Sequence, residues 1–380
     1  MNLGVTHKGI LLTCKIPLIL FFSCSLLFLP STAQSQELSH RGLFVSVIQD
    51  PPVLSSRQEI TRLVGFAKKA RINVLFVQVY RANKAWFSSK VGDPEPYKKC
   101  LESISEDPLA LLIKEAHAAG IQVHAWFNLL SLSANLDAPL LKKYGTQILT
   151  RNLEEKKTVE DYKIDNQYFL EPGDLRVRGK LAAILGEVLR AYPDLDGVQF
   201  DYIRYPDVHP AYGFTKINME RFKKTTGSET IDGDSAVWKD WKSDQVTGLL
   251  RLLVKKARLM RPGIQVSTTA LTSYSRANLE AFQDWASWLK SGLVDFITLM
   301  SYPPDVATFS RYVQEARDKA GDLKKVNIAV GAYKLLKTPE IFKRQFEICE
   351  ETGGRGCVVL HYGNLLENPV LADVLTRDAQ

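Results

Sequence analysis

Residues 196–206 read Asp-Gly-Val-Gln-Phe-Asp-Tyr-Ile-Arg-Tyr-Pro, placing a carboxylate, a guanidinium and two phenols at the end of an apolar run. On the strand period of two, Gly197, Gln199 and Asp201 share one face while Val198 and Phe200 take the other. A strand with an apolar outer row and a polar inner row, closing on an acid, suits the catalytic mouth of a (β/α)8 barrel. There Asp201 would act as nucleophile or base, with Tyr202 and Arg204 holding it ionised through charge-assisted hydrogen bonds. The plainer alternative is a strand-end Asp that only pairs with Arg204. Asp196, at the strand's start, falls at the opposite end of the barrel and reads as structural.

Such a barrel needs eight strand–helix units, and the chain alternates accordingly. With the motif as the fourth strand, the others are expected at 43–47, 73–80, 121–128, 264–270, 294–302, 326–332 and 357–362. Helical patterns fill 56–71, 108–119, 175–191, 236–260, a short stretch after Trp285, 310–320 and 339–351. On the third strand His124, Trp126 and Asn128 fall on one face. Residues 129–167 form a polar excursion too long for an ordinary barrel loop, and they read as a lid over the substrate with short structure of its own. An open doubly wound sheet is the competitor, but no phosphate-binding glycine fingerprint follows the first strand. Neither a second domain nor a fixed-period repeat is apparent.

Length and composition agree with a single large barrel. The chain has 380 residues, 45% hydrophobic and 24% charged, as in a soluble globular protein. Its first 33 residues stand apart: Lys8 and Lys15 precede an apolar run, then Ser31-Thr32-Ala33 offers small residues for cleavage. That is a secretory signal pattern, leaving 34–380 as the barrel domain and an expected location in the periplasm or outside the cell. Removing the two leader lysines lowers the formal charge from +7 to +5. This mild positive charge favours peripheral association with an anionic envelope but forms no dense basic tract, so nucleic acid is not expected as a partner. A monomer is expected. Cys349 and Cys357 could pair, yet a helix followed by a strand commonly holds two buried thiols, and that reading is preferred. No cysteine spacing fits a zinc site.

Several blocks in order resemble the glycosyl hydrolase-like 10 family. They are Gln78-Val79-Tyr80-Arg81 with Trp86-Phe87-Ser88-Ser89, Asp107-Pro108-Leu109 with Val123-His124-Ala125-Trp126-Phe127-Asn128, and Glu171-Pro172-Gly173-Asp174. The motif at 196–206, Gln283-Asp284-Trp285, Met300-Ser301-Tyr302, Gly331-Ala332-Tyr333-Lys334 and Tyr362-Gly363-Asn364-Leu365 complete the series. Glu171 stands where the family more often has Asn. The resemblance implies a TIM-barrel glycosidase related to the α-amylase and α-galactosidase groups, often exported, with some members acting on peptidoglycan.

Breaking a glycosidic bond needs an acid to protonate the leaving oxygen and a carboxylate on the other side of the sugar. For the acid beside Asp201, the candidates in order are Asp284, Asp305 and Glu171. The bland readings are a helix N-cap for Asp284 and a turn after Pro303-Pro304 for Asp305. Trp86, Trp126, Tyr202, Tyr302, Tyr333 and Tyr362 cluster near expected strand ends, where aromatic planes can stack on the apolar faces of sugar rings. Arg81, His124 and Asn128 would add polar rim groups, and His361 is ambiguous between rim and core. No cofactor or metal is called for. The expected function is an exported glycoside hydrolase acting on a polysaccharide, with peptidoglycan glycan strands favoured. The competing class is a non-catalytic glycan-binding barrel. A barrel for phosphorylated metabolites is disfavoured by the signal segment and by the lack of a glycine-rich phosphate loop after strand seven.

Overall fold

A computed structural model describes residues 39–207 and 211–377; the leader expected at 1–33 lies outside them. Eight parallel strands form the centre: β1 (His40–Val45), β2 (Val74–Arg81), β3 (Gln122–Asn128), β4 (Gly197–Asp201), β5 (Gln265–Leu271), β6 (Phe296–Ser301), β7 (Val326–Gly331) and β8 (Gly356–Leu360). Each strand pairs with the next, and β1 pairs with both β2 and β8, so the sheet closes on itself. That closure excludes the open doubly wound sheet and gives the expected TIM barrel. A two-residue strand, Lys84–Ala85, folds back antiparallel on the end of β2 and fixes Arg81 at the rim.

The helices α1 (Arg57–Lys69), α2 (Pro108–Ala118), α3 (Leu175–Ala191), α4 (Ala236–Met260), α5 (Trp285–Lys290), α6 (Val306–Ala320), α7 (Pro339–Glu351) and α8 (Pro369–Arg377) follow the eight strands in turn. Their starts are written locally. Asp107 caps α2 by accepting from the Ala110 N–H, with Pro108 at the first turn; Asp174 accepts from Arg176 and Ser235 from Trp238. Each such cap contributes about 1 kcal/mol by satisfying a backbone N–H the helix leaves free.

Alternation along the strands separates two cores. Outward rows such as Val198 and Phe200 pack under the helices. Inward rows leave Phe44, Phe76, Trp126, Phe296 and Val358 as a small plug inside the barrel. Below the plug's top lies His124, which the sequence placed beside the substrate. It is fully buried among Phe76, Phe296 and His40, and burial lowers its pKa to about 3. A Cβ on Gly197 would lie 2.2 Å from its Nδ1, so the glycine is what lets the ring fit. His124 shares a face with Trp126 and Asn128 but sits too deep to reach the mouth.

Residues 129–174, between β3 and α3, carry one short α-helix, Pro139–Tyr144, two 3-10 helices, Gly145–Ile148 and Val159–Tyr162, and isolated bridges such as Ser131 with Phe169. Leu130, Leu132, Leu140, Ile148, Tyr168 and Leu170 are buried in the outer core, which anchors the segment to the barrel's side. The expected disposition of the cysteines is overturned: Cys349, at the end of α7, is disulfide-bonded to Cys357 on β8, their Cα atoms 5.8 Å apart. The turn between them brings helix end and strand start within bridging distance.

Candidate active site

The carboxyl ends of the strands surround a cavity of about 680 Å³, lined in part by Trp126, Asn128, Asp201, Tyr202, Thr269 and Tyr302. That volume lies within the roughly 300–1,000 Å³ usual for small-molecule sites. Asp201, the last residue of β4, is only 5% exposed yet forms part of the wall. Three donors hold it: the Trp126 indole N–H at 3.1 Å on one oxygen, and the Thr269 hydroxyl at 2.5 Å and Tyr202 backbone N–H at 2.7 Å on the other. Three donors converging on one carboxyl group match the acceptor-only character of a carboxylate.

Backbone geometry supplies part of this. Tyr202 has φ of +52°, a left-handed conformation uncommon for a non-glycine residue, and the turn points its N–H back at Asp201. The side chain of Tyr202 then lies between the Phe169 ring, 6.2 Å away, and the Arg204 guanidinium, 4.9 Å from its centroid. Arg204 does not hold Asp201, contrary to expectation. It pairs with Asp207 at 2.5 Å, and Asp207 also receives Arg276 at 2.7 Å. The turn after β4 carries Arg204 past the strand end, so the arginine meets the next acid along the chain.

Opposite, Tyr302 and the 40%-exposed Tyr333 meet edge to face at 5.7 Å. A Cβ on Gly331 would come 2.8 Å from the Tyr302 ring, so this glycine makes the room. Burial, then the Asp201 charge, raises the Tyr302 hydroxyl well above its ordinary pKa and keeps it a donor. Gln78 bridges the ends of β1 and β3: its oxygen accepts from Ser46 and the Val47 N–H, and its amide donates to Asn128 at 3.0 Å. Arg81 reaches the wall from β2, 3.4 Å from the Ser133 hydroxyl.

The three candidate partner acids separate. Asp305 lines the cavity. It also caps α6 through the Thr308 N–H at 2.8 Å, a hydrogen bond that holds its carboxyl below the usual range. Asp284 is not on the wall; it caps α5 through Ser287 and accepts from the Tyr274 hydroxyl at 2.7 Å. Glu171 is fully buried, bound to the Tyr205 hydroxyl at 2.5 Å and the Gly173 N–H at 3.2 Å, with burial raising its pKa. The excursion that carries Glu171 lends no residue to the cavity wall, so the expected lid is in this structure a side buttress.

Two of the expected aromatic contacts also fall elsewhere. Trp86 packs against the outer core near Cys100, and Tyr362 is fully buried beside Phe66. Trp86 follows the short strand that folds back on β2, and Tyr362 opens the helix Tyr362–Glu367. Residues missed in the sequence include Thr269, Arg276 and Tyr312, all on the wall. Only Thr269 had a readable signal: Ser267-Thr268-Thr269 is a run of hydroxyls on a barrel strand. His361 lines the cavity as well, its Nδ1 accepting from the Gly363 N–H at 3.1 Å, and burial lowers its pKa. Among the described residues, no group of three or more His, Cys, Asp or Glu is placed to hold a metal.

The closed parallel barrel is a TIM barrel, with a firmly held carboxylate and aromatic side chains at its mouth. The sequence profile of the glycosyl hydrolase-like 10 family matches residues 40–347, and the chain belongs to that family. The protein named glycosyl hydrolase DigH of Escherichia coli strain K12 is 23% identical over 319 residues, spanning 74% of this chain and 70% of its own. Glycosyl hydrolase YngK of Bacillus subtilis strain 168 is 24% identical over 271 residues, spanning 66% and 50%. Among solved structures, the catalytic domain of β-amylase from Paenibacillus polymyxa superposes with a TM-score of 0.56 at 11% identity, covering 89% of this chain and 98% of that one. At that identity the likeness is one of fold.

Proposed function

We propose that the protein is an exported glycoside hydrolase that cleaves glycan strands, those of peptidoglycan foremost, with Asp201 as nucleophile or base and Asp305 as the second carboxylate. The observation that carries this reading is Asp201 itself: a carboxyl group fixed by three donors on the wall of a cavity faced by Trp126, Tyr302 and Tyr333. Aromatic planes suit the C–H faces of sugars, and Arg81, Asn128 and Arg276 suit their hydroxyls. The disulfide favours an oxidising compartment, in keeping with the leader pattern.

One observation favours the second reading, a glycan-binding barrel without catalysis. Asp305 is engaged as a helix cap and favoured in its charged form, which is unfavourable for a proton donor. The two are separated by incubating purified protein with defined glycans, including peptide-free peptidoglycan strands, beside an Asp201→Asn variant. The hydrolase reading expects new reducing ends from the native protein and a loss on the order of a thousandfold in the variant. Equal cleavage by both removes Asp201 from the mechanism. Binding by calorimetry without cleavage of any glycan replaces the hydrolase with the binding protein.

A further inference from the structure

The cavity holding Asp201 does not end at its own rim. A second hollow of about 510 Å³ adjoins it, and Ile48 and His361 belong to the walls of both. Ile48, on the loop after β1, is 64% exposed although apolar, and it stands at the junction. The junction is a built feature. His361 is oriented by the Gly363 N–H at 3.1 Å, and a Cβ on Gly363 would lie 2.7 Å from the Cβ of Gln49 and 2.9 Å from the His361 ring. Glycine there lets the β1 loop, the His361 ring and the start of the helix Tyr362–Glu367 pack close enough to form one continuous floor. The groove therefore crosses the barrel mouth from Arg276, in the short helix Tyr274–Leu279 after β5, and Tyr312 on α6 to the segments after β1 and β8.

The far hollow differs in chemistry from the first. It has no Phe, Tyr or Trp side chain, and Gln49, Asp50, Arg62, Asn364 and Glu367 face it. Two carboxylates against one guanidinium disfavour a densely anionic ligand, while amides and charges of both signs suit hydroxyl and acetamido groups. We propose that this second hollow is a distal subsite that binds further sugar units of the same glycan chain whose scissile bond lies at Asp201. The protein then acts within long strands rather than on short ends. This rests on the glycan reading of the Asp201 cavity and specifies the length of its ligand.

The test uses the full protein with peptide-free glycan strands as disaccharide, tetrasaccharide and octasaccharide, measuring kcat/KM and, by calorimetry, affinity. The native protein is expected to prefer the octasaccharide over the disaccharide by at least about tenfold, the equivalent of one or two added polar contacts. In an Arg62→Ala, Glu367→Ala double variant, whose changes lie on exposed side chains and spare the fold, that ratio is expected to fall toward unity. Equal rates and affinities for all lengths, or a length preference unchanged in the double variant, overturn the subsite. If no strand is cleaved, the hydrolase reading fails by itself, and the affinities still decide the subsite: tighter octasaccharide binding that the double variant loses supports it, and length-independent binding overturns it.

Discussion

The Thr269→Val exchange offers a narrow test of the chemistry assigned to Asp201. It keeps the outline of a buried β-branched side chain on β5 and deletes only the hydroxyl that donates to the Asp201 carboxylate at 2.5 Å. A hydrogen bond to a charged group is worth roughly 1.5–3 kcal/mol, so if Asp201 reacts, kcat/KM should fall by roughly 10- to 150-fold. Trp126 and the Tyr202 N–H still hold the carboxylate, so the fold should survive with a melting temperature within a few degrees of native. Release of reducing ends from peptide-free strands gives the rate, and thermal melting gives the fold. The decisive arm is the cycle with Asp201→Asn. In that background the partner is already neutral and catalytically impaired, so Thr269→Val should add less than about twofold. If the two changes multiply instead, Thr269 and Asp201 act independently and the hydrogen bond is not part of the reaction.

Asp284→Ala should cost about 1 kcal/mol in thermal stability, from the lost α5 cap, and leave the rate within about twofold, because Asp284 is off the cavity wall; a hundredfold rate loss in a folded variant would restore it as the acid. Cys349→Ser removes a bridge closing a sequence separation of 8 residues and should cost about 2.5 kcal/mol on the chain-entropy estimate, read by denaturant unfolding. A midpoint unmoved by the substitution contradicts this. Burial lowers the Lys242 ammonium from its ordinary 10.5 to about 7, so between those values the unfolded chain binds more protons than the folded one and stability rises with pH. Lys242→Met should flatten that rise, and a slope unchanged in the variant refutes the assignment.

The barrel was legible because its signals are local and repeated. Outward Val198 and Phe200 and inward Gln199 and Asp201 obey the strand period, and Asp107-Pro108 announces α2 in two residues. Heights across the barrel were not legible. Period two says that His124, Trp126 and Asn128 point inward, but only the pairing of Asn128 with Asp201 shows that Trp126 reaches the acid while His124 lies two residues deeper. Turn geometry was equally hidden. The positive φ of Tyr202 gives Asp201 a backbone donor and sends Arg204 to Asp207, a swap that no residue count reveals. Glu171 and Asp284 illustrate the same point, since loop carboxylates have many possible partners and these two found a buried phenol and a helix end.

Substrate binding would change the surroundings of Asp305, the proposed second carboxylate. Asp305 stands open to solvent in the free protein, its charge favoured by the Thr308 N–H. On the proposed function, a sugar seated against Asp305 would exclude water from that carboxyl group. Desolvation favours the protonated form, opposing the helix cap. If the proposed two-carboxylate reading holds, the proton donor would be made by substrate binding. On the same reading, each further sugar held past Ile48 in the distal hollow would raise the binding energy available to displace water around Asp305.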